Sequence, residues 1–405
     1  MDRRTFLVNA VAATTATTSA FEVTAEKPKK SSGNQKHRVA IIGCGRMGQY
    51  FAEVFRRLPD TELAAIAEWN DERRPIVGKR FGVQALFKDV NAMLREMVPD
   101  LAVVVTPTKY MQEAVIKCAE AGVKGVMTEK PMAARLSDAD EMVEACRKRG
   151  IVFAGGNLKR AKWEVQIAGQ RLKSGEFGTI RGAAVHGFGG QISGGCCQHL
   201  SVLRLFTGAE VDEVIAWGSP AKALKQKDDS GLNINGRFRM STGIDCHVFG
   251  LSQAYGSKEN RNGVDVWTDD ALVNWRWNVP KIFQGTDSQG ARKEIDPKYP
   301  AFPWAHVLKA PPLRAELDYL VSSIRSFIDA VEKGTKLLIS GHDLRQALEI
   351  AIACKLSATQ GHRPIKLPLK DRSLVLYPSR YRWLGGDAAG SPQTGENAAG
   401  KKKGS

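Results

Sequence analysis

The chain has 405 residues, 43% of them hydrophobic and 25% charged, with 39 glycines, 17 prolines and a formal charge of +16. These proportions suit two or three globular domains and exclude a collagen-like, coiled-coil or wholly disordered protein. No run approaches the roughly 18 apolar residues of a membrane span, and seven scattered cysteines without a CxxC pair make neither a disulfide framework nor a zinc site.

At the N-terminus, Arg3-Arg4 precedes Thr5-Phe6-Leu7 and a threonine-diluted apolar run from Val8 to Ala20, with small residues near Ala20 and Ala25. Residues 1–25 therefore resemble a twin-arginine export signal, which predicts a periplasmic or otherwise exported protein, or a cytoplasmic one where the signal goes unused. Residues 26–36 read as a polar linker and 385–405 as a Gly, Ala, Ser and Lys tail. Lys27, Lys29, Lys30, Lys36 and Lys401 to Lys403 lie in these segments and carry part of the positive excess. The remaining basic residues are scattered among acids, with no basic stripe and no nucleic-acid motif, so no nucleic-acid partner is expected.

His37 to Ile42 is a short β-branched apolar run that reads as a buried strand. It leads into Gly43-Cys44-Gly45-Arg46-Met47-Gly48, followed by Phe51, Val54, Phe55 and Leu58 at helical spacing. Strand, GxGxxG and helix in that order predict a dinucleotide site. Gly43 permits the turn, Gly45 admits a pyrophosphate, and Gly48 lets helix and strand pack. The second strand, Leu63 to Ala67, ends at Glu68, whose carboxylate suits ribose hydroxyls and repels a 2′-phosphate, favouring NAD; nearby Arg73 and Arg74 leave NADP possible.

Further strands are expected at Leu101 to Val105, ending in Thr106-Pro107, at Gly125 to Thr128, ending in Glu129-Lys130-Pro131, and at Ile151 to Ala154. A helix runs from Met111 to Ala121, and Ser137-x-x-Asp140 reads as a capping-box start for the next. Alternating strands and helices imply a parallel α/β sheet. Its ligands lie at the carboxyl ends of the strands, where the glycine loop, Glu68, Thr106 and Lys130 fall.

These motifs, in order, resemble the glucose–fructose oxidoreductase / inositol dehydrogenase (Gfo/Idh/MocA) family. Later elements extend the likeness to roughly residue 370: Arg160, Gly175 to Ile180, Leu205-Phe206-Thr207-Gly208 and Ile365 to Leu369. The resemblance implies a Rossmann domain, here 37–158. A C-terminal α/β domain with an open, mainly antiparallel sheet follows, here 159–384. It also implies bound NAD(P), a sugar or cyclitol substrate, and homo-oligomers formed through the open sheet face. The residues agree: β-rich runs occur at 181–188, 211–217, 234–240, 243–249 and 271–277. A helical stripe from Leu317 to Val331 ends at Gly334, and Ser340-x-x-Asp343 begins another helix. Two departures stand out. Gln198 falls where the family usually carries a His, with His199 one residue away and Ser201 at a usual Asp. Lys109-Tyr110-Met111 stand where a His often follows Thr-Pro.

Oxidising an alcohol needs a base and a hydride acceptor. Lys130, at a strand end where burial lowers its pKa, is the expected base, with His199 as second base, proton shuttle or plain core residue. The cofactor-binding set is Gly43, Gly45, Arg46, Met47, Gly48, Glu68, Thr106, Pro107, Glu129 and Lys130. Asn157, Arg160, Trp163, Gln198 and His199 are expected on the substrate side, and no metal. Cys196-Cys197 read as ordinary loop residues. The expected protein is an oxidoreductase acting on a CH–OH group with a tightly retained cofactor. A redox-neutral glycosidase or epimerase, and a non-catalytic nucleotide- or sugar-binding protein, are the alternatives.

Overall fold

The computed structural model describes residues 36–251, 262–286, 290, 292–309 and 317–385, so the segment read above as an export signal and nearly all of the expected linker and tail lie outside the described residues. The first half alternates strand and helix: β1 (His37–Ile42), α1 (Arg46–Phe55), β2 (Thr61–Ala67), α2 (Arg73–Phe81), β3 (Leu86–Phe87), α3 (Val90–Glu96), β4 (Leu101–Val104), α4 (Thr108–Glu120), β5 (Gly125–Thr128), α5 (Leu136–Lys148) and β6 (Val152–Gly155). The strands pair in parallel in the order β3-β2-β1-β4-β5-β6, the doubly wound order whose topological switch falls between β1 and β4. Residues Leu101–Val104 and Gly125–Thr128 are buried throughout, as strands covered by helices on both faces must be, which is why they read as unbroken apolar runs. Edge strand β3, two residues long, is too short to leave a periodic signal.

The second half comprises α6 (Trp163–Lys173), β7 (Ile180–His186), β8 (Gly189–Gln191), α7 (Cys197–Thr207), β9 (Val211–Ser219), α8 (Ala221–Lys225), β10 (Ser230–Met240), β11 (Asp245–Phe249), β12 (Gly263–Thr268), β13 (Ala271–Trp275), β14 (Lys281–Thr286), β15 (Arg292–Ile295), α9 (Asp318–Lys333), α10 (Gly341–Thr359), β16 (Ile365–Lys366) and α11 (Arg380–Leu384). Its strands form a ten-stranded sheet, antiparallel except where β11 runs parallel to β7. Every residue of α7 is buried, and the helix packs on β7 and β12 of this sheet.

Helix α9 returns to the first sheet. Ser323 Oγ donates to the Gly155 carbonyl at 3.0 Å, and a Cβ at Gly125 would lie 2.6 Å from the Phe327 ring. A single hydrophobic core therefore runs through both sheets. The C-cap at Gly334 (φ 68°) and the reciprocal capping box of Ser340 and Asp343 match the sequence. The box expected at Ser137 does not form. Helix α5 begins earlier, after Arg135, and the Asp140 carboxylate is taken by Arg345 at 2.9 Å and Arg372 at 2.6 Å. No helix among the described residues is long and apolar enough to cross a membrane.

Candidate active site

Three glycines shape the turn after β1, and they do different work. Gly43 has φ +90°, and a Cβ there would lie 2.7 Å from the Val105 carbonyl oxygen. At Gly48 a Cβ would meet the Gly43 oxygen at 2.0 Å, so only glycine lets α1 approach β1. Gly45 differs: nothing lies within 4 Å of its Cβ direction. The loop is open there, and α1 starts with neither a side-chain cap nor an acidic residue in its first turn. Its N–H groups and the positive end of its dipole are left to an outside anion.

Glu68, 2% exposed, lies at the carboxyl end of β2. Its Oε2 accepts from the Cys44 amide at 2.6 Å, its Oε1 accepts from the Asn70 amide at 3.0 Å, and Arg73 approaches Oε2 at 3.5 Å. The carboxylate thus braces the glycine loop from below and has a cation beside it. Farther along the strand ends, Thr106 Oγ1 and Glu129 Oε1 are buried without a hydrogen-bond partner among the described residues. Buried polar atoms without partners are costly; an open glycine cradle and two such atoms on one sheet edge fit a bound dinucleotide.

Lys130 follows β5. Glu129 Oε2 accepts from the Lys130 backbone amide at 3.3 Å, and Nζ itself has no hydrogen bond or ion pair among the described residues. Burial, and then the neighbouring Arg382 guanidinium, push the ammonium down to about 8, against the pull of Glu129. The Glu129 carboxyl is itself pushed up by burial. Behind this pair, Asn157 Nδ2 donates to Glu129 Oε2 at 3.4 Å and reaches Met47 Sδ at 3.6 Å, while Tyr319 Oη donates to Asn157 Oδ1 at 2.7 Å. Gln198 closes the chain, its Nε2 donating to the Asn157 carbonyl at 3.1 Å and its Oε1 accepting from the Lys159 amide at 2.6 Å. Met47, Glu129, Lys130, Asn157 and Gln198 are thereby brought together. Pro107 stands at the N-cap of α4, and exposed Arg46 opens α1 within charge range of Lys130.

Three expected substrate-side residues have other partners in the fold. His199 is 1% exposed, with its ring edge-on to Trp275 (6.1 Å) and Trp277 (5.4 Å) and neither nitrogen hydrogen-bonded among the described residues. Burial pushes its pKa down to about 3. One residue along a helix is about 100° of rotation, so Gln198 faces Asn157 while His199 faces the second sheet, away from Lys130. This corrects the expected base or shuttle: His199 is a neutral core residue. Arg160 Nη1 donates to Asp343 Oδ1 at 2.8 Å, and Arg204 donates to the same oxygen at 2.9 Å and to Glu210 at 2.6 Å. The two guanidinium groups hold the Asp343 carboxyl well below the usual range. Arg160 is therefore bound into a largely buried ion network with Asp343 and Arg204. Trp163 Nε1 donates to the Pro300 carbonyl at 3.0 Å, which ties the indole to the chain at that residue.

Cys196 and Cys197 are free and buried; Cys197 Sγ points to the Ser193 carbonyl at 2.7 Å, and burial raises that thiol to about 12. No His, Cys, Asp and Glu group suited to a metal occurs among the described residues. Sequence reasoning missed Tyr319 and Arg382. Tyr319 sits in the apolar stripe of α9, where its hydroxyl gives no local signal. Arg382, flanked by Tyr381 and Trp383 just before the tail, has no motif around it.

With these parts in place, the chain is an NAD-binding oxidoreductase. Residues 37–156 match the model of the Gfo/Idh/MocA oxidoreductase family, described by its NAD-binding Rossmann fold. The chain is 26% identical over 355 residues to myo-inositol 2-dehydrogenase of Thermotoga maritima, a match covering 82% of this chain and 98% of the relative. It is 31% identical over 144 residues to D-glucoside 3-dehydrogenase of Escherichia coli, covering 35% of this chain and 41% of that one. Among solved structures, levoglucosan dehydrogenase in complex with NADH and levoglucosan shares the fold, with a TM-score of 0.70 and 18% identity over 83% of this chain and all of the other.

Proposed function

We propose that this protein oxidises a secondary alcohol of a sugar or cyclitol, with Lys130 as the group that takes the hydroxyl proton. The carrying observation is the Lys130 Nζ, beside the dinucleotide cradle, without an ion-pair partner and with its pKa pushed down to about 8. When bound, NAD supplies the acceptor for the hydride that leaves the carbinol carbon. The neutral amine of Lys130 accepts the proton from the oxygen as the carbon–oxygen bond becomes a carbonyl, and in the reverse direction the ammonium returns it. Glu129 and Asn157 position the lysine: the carboxyl fixes its backbone amide, and the Tyr319–Asn157–Gln198 chain fixes the carboxyl. The named activities of the relatives on inositol and glucosides support this substrate class.

The twin-arginine-like signal adds a finer reading: the protein is exported already loaded, and keeps its nucleotide through successive turnovers. Coupled oxidation and reduction, epimerisation or oxidation-assisted glycoside cleavage are then the redox-neutral outcomes. The homo-oligomer implied by the family resemblance would use the outward face of the second sheet, where Trp217 and Phe249 are half-exposed. Lys130→Met tests the central reading. The variant should still bind NAD but lose about two to four orders of magnitude in turnover, the usual scale of general acid–base help; full turnover would overturn the assignment. Mass and absorbance of the nucleotide that copurifies test retention.

A further inference from the structure

We infer that the substrate carries an anionic group, a carboxylate or phosphate ester on the polyol, and that Arg382 receives it. The inference rests on the oxidation reading above and names the kind of polyol.

Arg382 comes from α11, some 250 residues after Lys130, yet lies beside it. Its Nε donates to Gln191 Oε1 at 2.7 Å, and Tyr381 Oη donates to the same oxygen at 3.2 Å. A Cβ built on Gly194 would lie 3.2 Å from Arg382 Nε and 3.5 Å from the Pro131 ring, so the guanidinium and the residue after Lys130 border one small gap that glycine keeps open. The anchoring uses only Nε. Neither Nη group donates a hydrogen bond to, or pairs with a carboxylate of, any described residue, although the side chain is half-buried.

Two carboxylates lie within charge range, and neither supplies a partner. Glu129 uses its Oε2 on the Lys130 amide and Asn157 Nδ2, while its Oε1 and Asp229 Oδ1 meet no partner, Arg382 included, among the described residues. Asp229 Oδ2 accepts from Ser193 N at 2.7 Å and Ser193 Oγ at 2.6 Å. Burial pushes both carboxyls up, towards their neutral forms. Lys130 and Arg382 are therefore neighbouring cations without an ion-paired anion. Like charges held together disfavour one another, and an incoming anion relieves that. The planar guanidinium fork matches a carboxylate or phosphate edge with two parallel hydrogen bonds.

The anion is not expected to be the nucleotide's own pyrophosphate. That group belongs at Gly45 and the start of α1, at the end of β1, whereas Lys130 ends β5, two strands away, which is about 9–10 Å at ordinary strand spacing. Arg382 is thus on the substrate side of the sheet edge.

Calorimetric binding to NAD-loaded protein tests the inference without needing turnover. The probes are D-gluconate, D-glucuronate and D-glucose 6-phosphate against D-glucose. The wild type should bind one or more of the anions at least about ten-fold tighter than glucose, with the better anion distinguishing carboxylate from phosphate. Arg382→Gln should erase that preference, a loss of about 30- to 100-fold in anion affinity for a truncated charge pair. Arg382→Lys should keep part of it. Unchanged NAD affinity in both variants shows that the fold is intact. Equal binding of all four probes, no binding of any anion, or a preference that survives Arg382→Gln overturns the inference. Turnover of the same probes separates the two readings: an Arg382-dependent anion preference with no change in nicotinamide absorbance means the oxidation reading fails and this one stands.

Discussion

The two sides of the site are built by different means. The pyrophosphate and ribose end of the cofactor side is local: one strand, one glycine turn, one helix and Glu68 at the next strand end all fall within residues 37–68. The substrate side is assembled from distant segments, with Lys130, Asn157, Gln198, Tyr319 and Arg382 arriving from five elements. A local motif encodes its geometry in spacing, so it can be read and broken residue by residue. An assembled wall depends on how helices are rotated and docked, and a change of one position moves a side chain to another face.

Gly45 and Gly48 give the sharpest contrast within the local side. Gly45→Val should fold with a melting temperature near the wild type, since its Cβ direction is empty, yet lose at least about 100-fold in NAD affinity as the side chain fills the cradle. Gly48→Ala should do the opposite and cost several kcal/mol, at or above the usual upper range of about 3 for overpacking, because its Cβ would meet the Gly43 oxygen at 2.0 Å. Titration calorimetry and thermal melts on both variants separate cradle from scaffold; an unchanged affinity for Gly45→Val would break the comparison.

Glu68→Arg should move preference from NAD towards NADP by about ten-fold or more, since the carboxylate's repulsion of a 2′-phosphate is replaced by attraction. Wild-type protein that binds both nucleotides equally would instead assign the ribose end to Arg73.

On the assembled side, Arg160→Met should lower stability by about 2 kcal/mol, less than the usual cost of breaking a buried pair because Arg204 still holds Asp343. It should leave NAD affinity as it was. A raised KM with unchanged stability would return Arg160 to the substrate wall.

A further prediction, confined to acid pH, concerns His199. Its folded pKa of about 3 lies below the ordinary 6.5. The unfolded chain therefore binds a proton that the folded chain refuses, and this group's contribution to stability falls as pH drops from about 6.5 towards 3. His199→Phe should flatten that part of the acid unfolding curve. Identical acid profiles for the two proteins would contradict the neutral, buried ring.

What was legible follows the same division. The strand–turn–helix at 37–55, Glu68, the Gly334 cap and the Ser340–Asp343 box could be read because each rests on contacts within a few residues. Ser137-x-x-Asp140 has the same spacing as the true box and fails because Arg345 and Arg372, over 200 residues away, claim Asp140. His199 was distinguished from Gln198 only when α7 had a fixed rotation between two neighbours. Arg382 had no sequence signal beyond its aromatic flanks, since its significance lies in a docking that only the folded chain contains.

The most direct test of the central claim is the pH dependence of kcat/KM for polyol oxidation by NAD-loaded protein. A base must be unprotonated to act, so the rate should climb with pH and level off above about 8, the pKa to which burial and Arg382 push Lys130. Lys130→Met should lower the plateau and remove that limb. A wild-type profile flat from pH 6 to 10, or one whose limb near 8 survives in Lys130→Met, would contradict Lys130 as the proton acceptor.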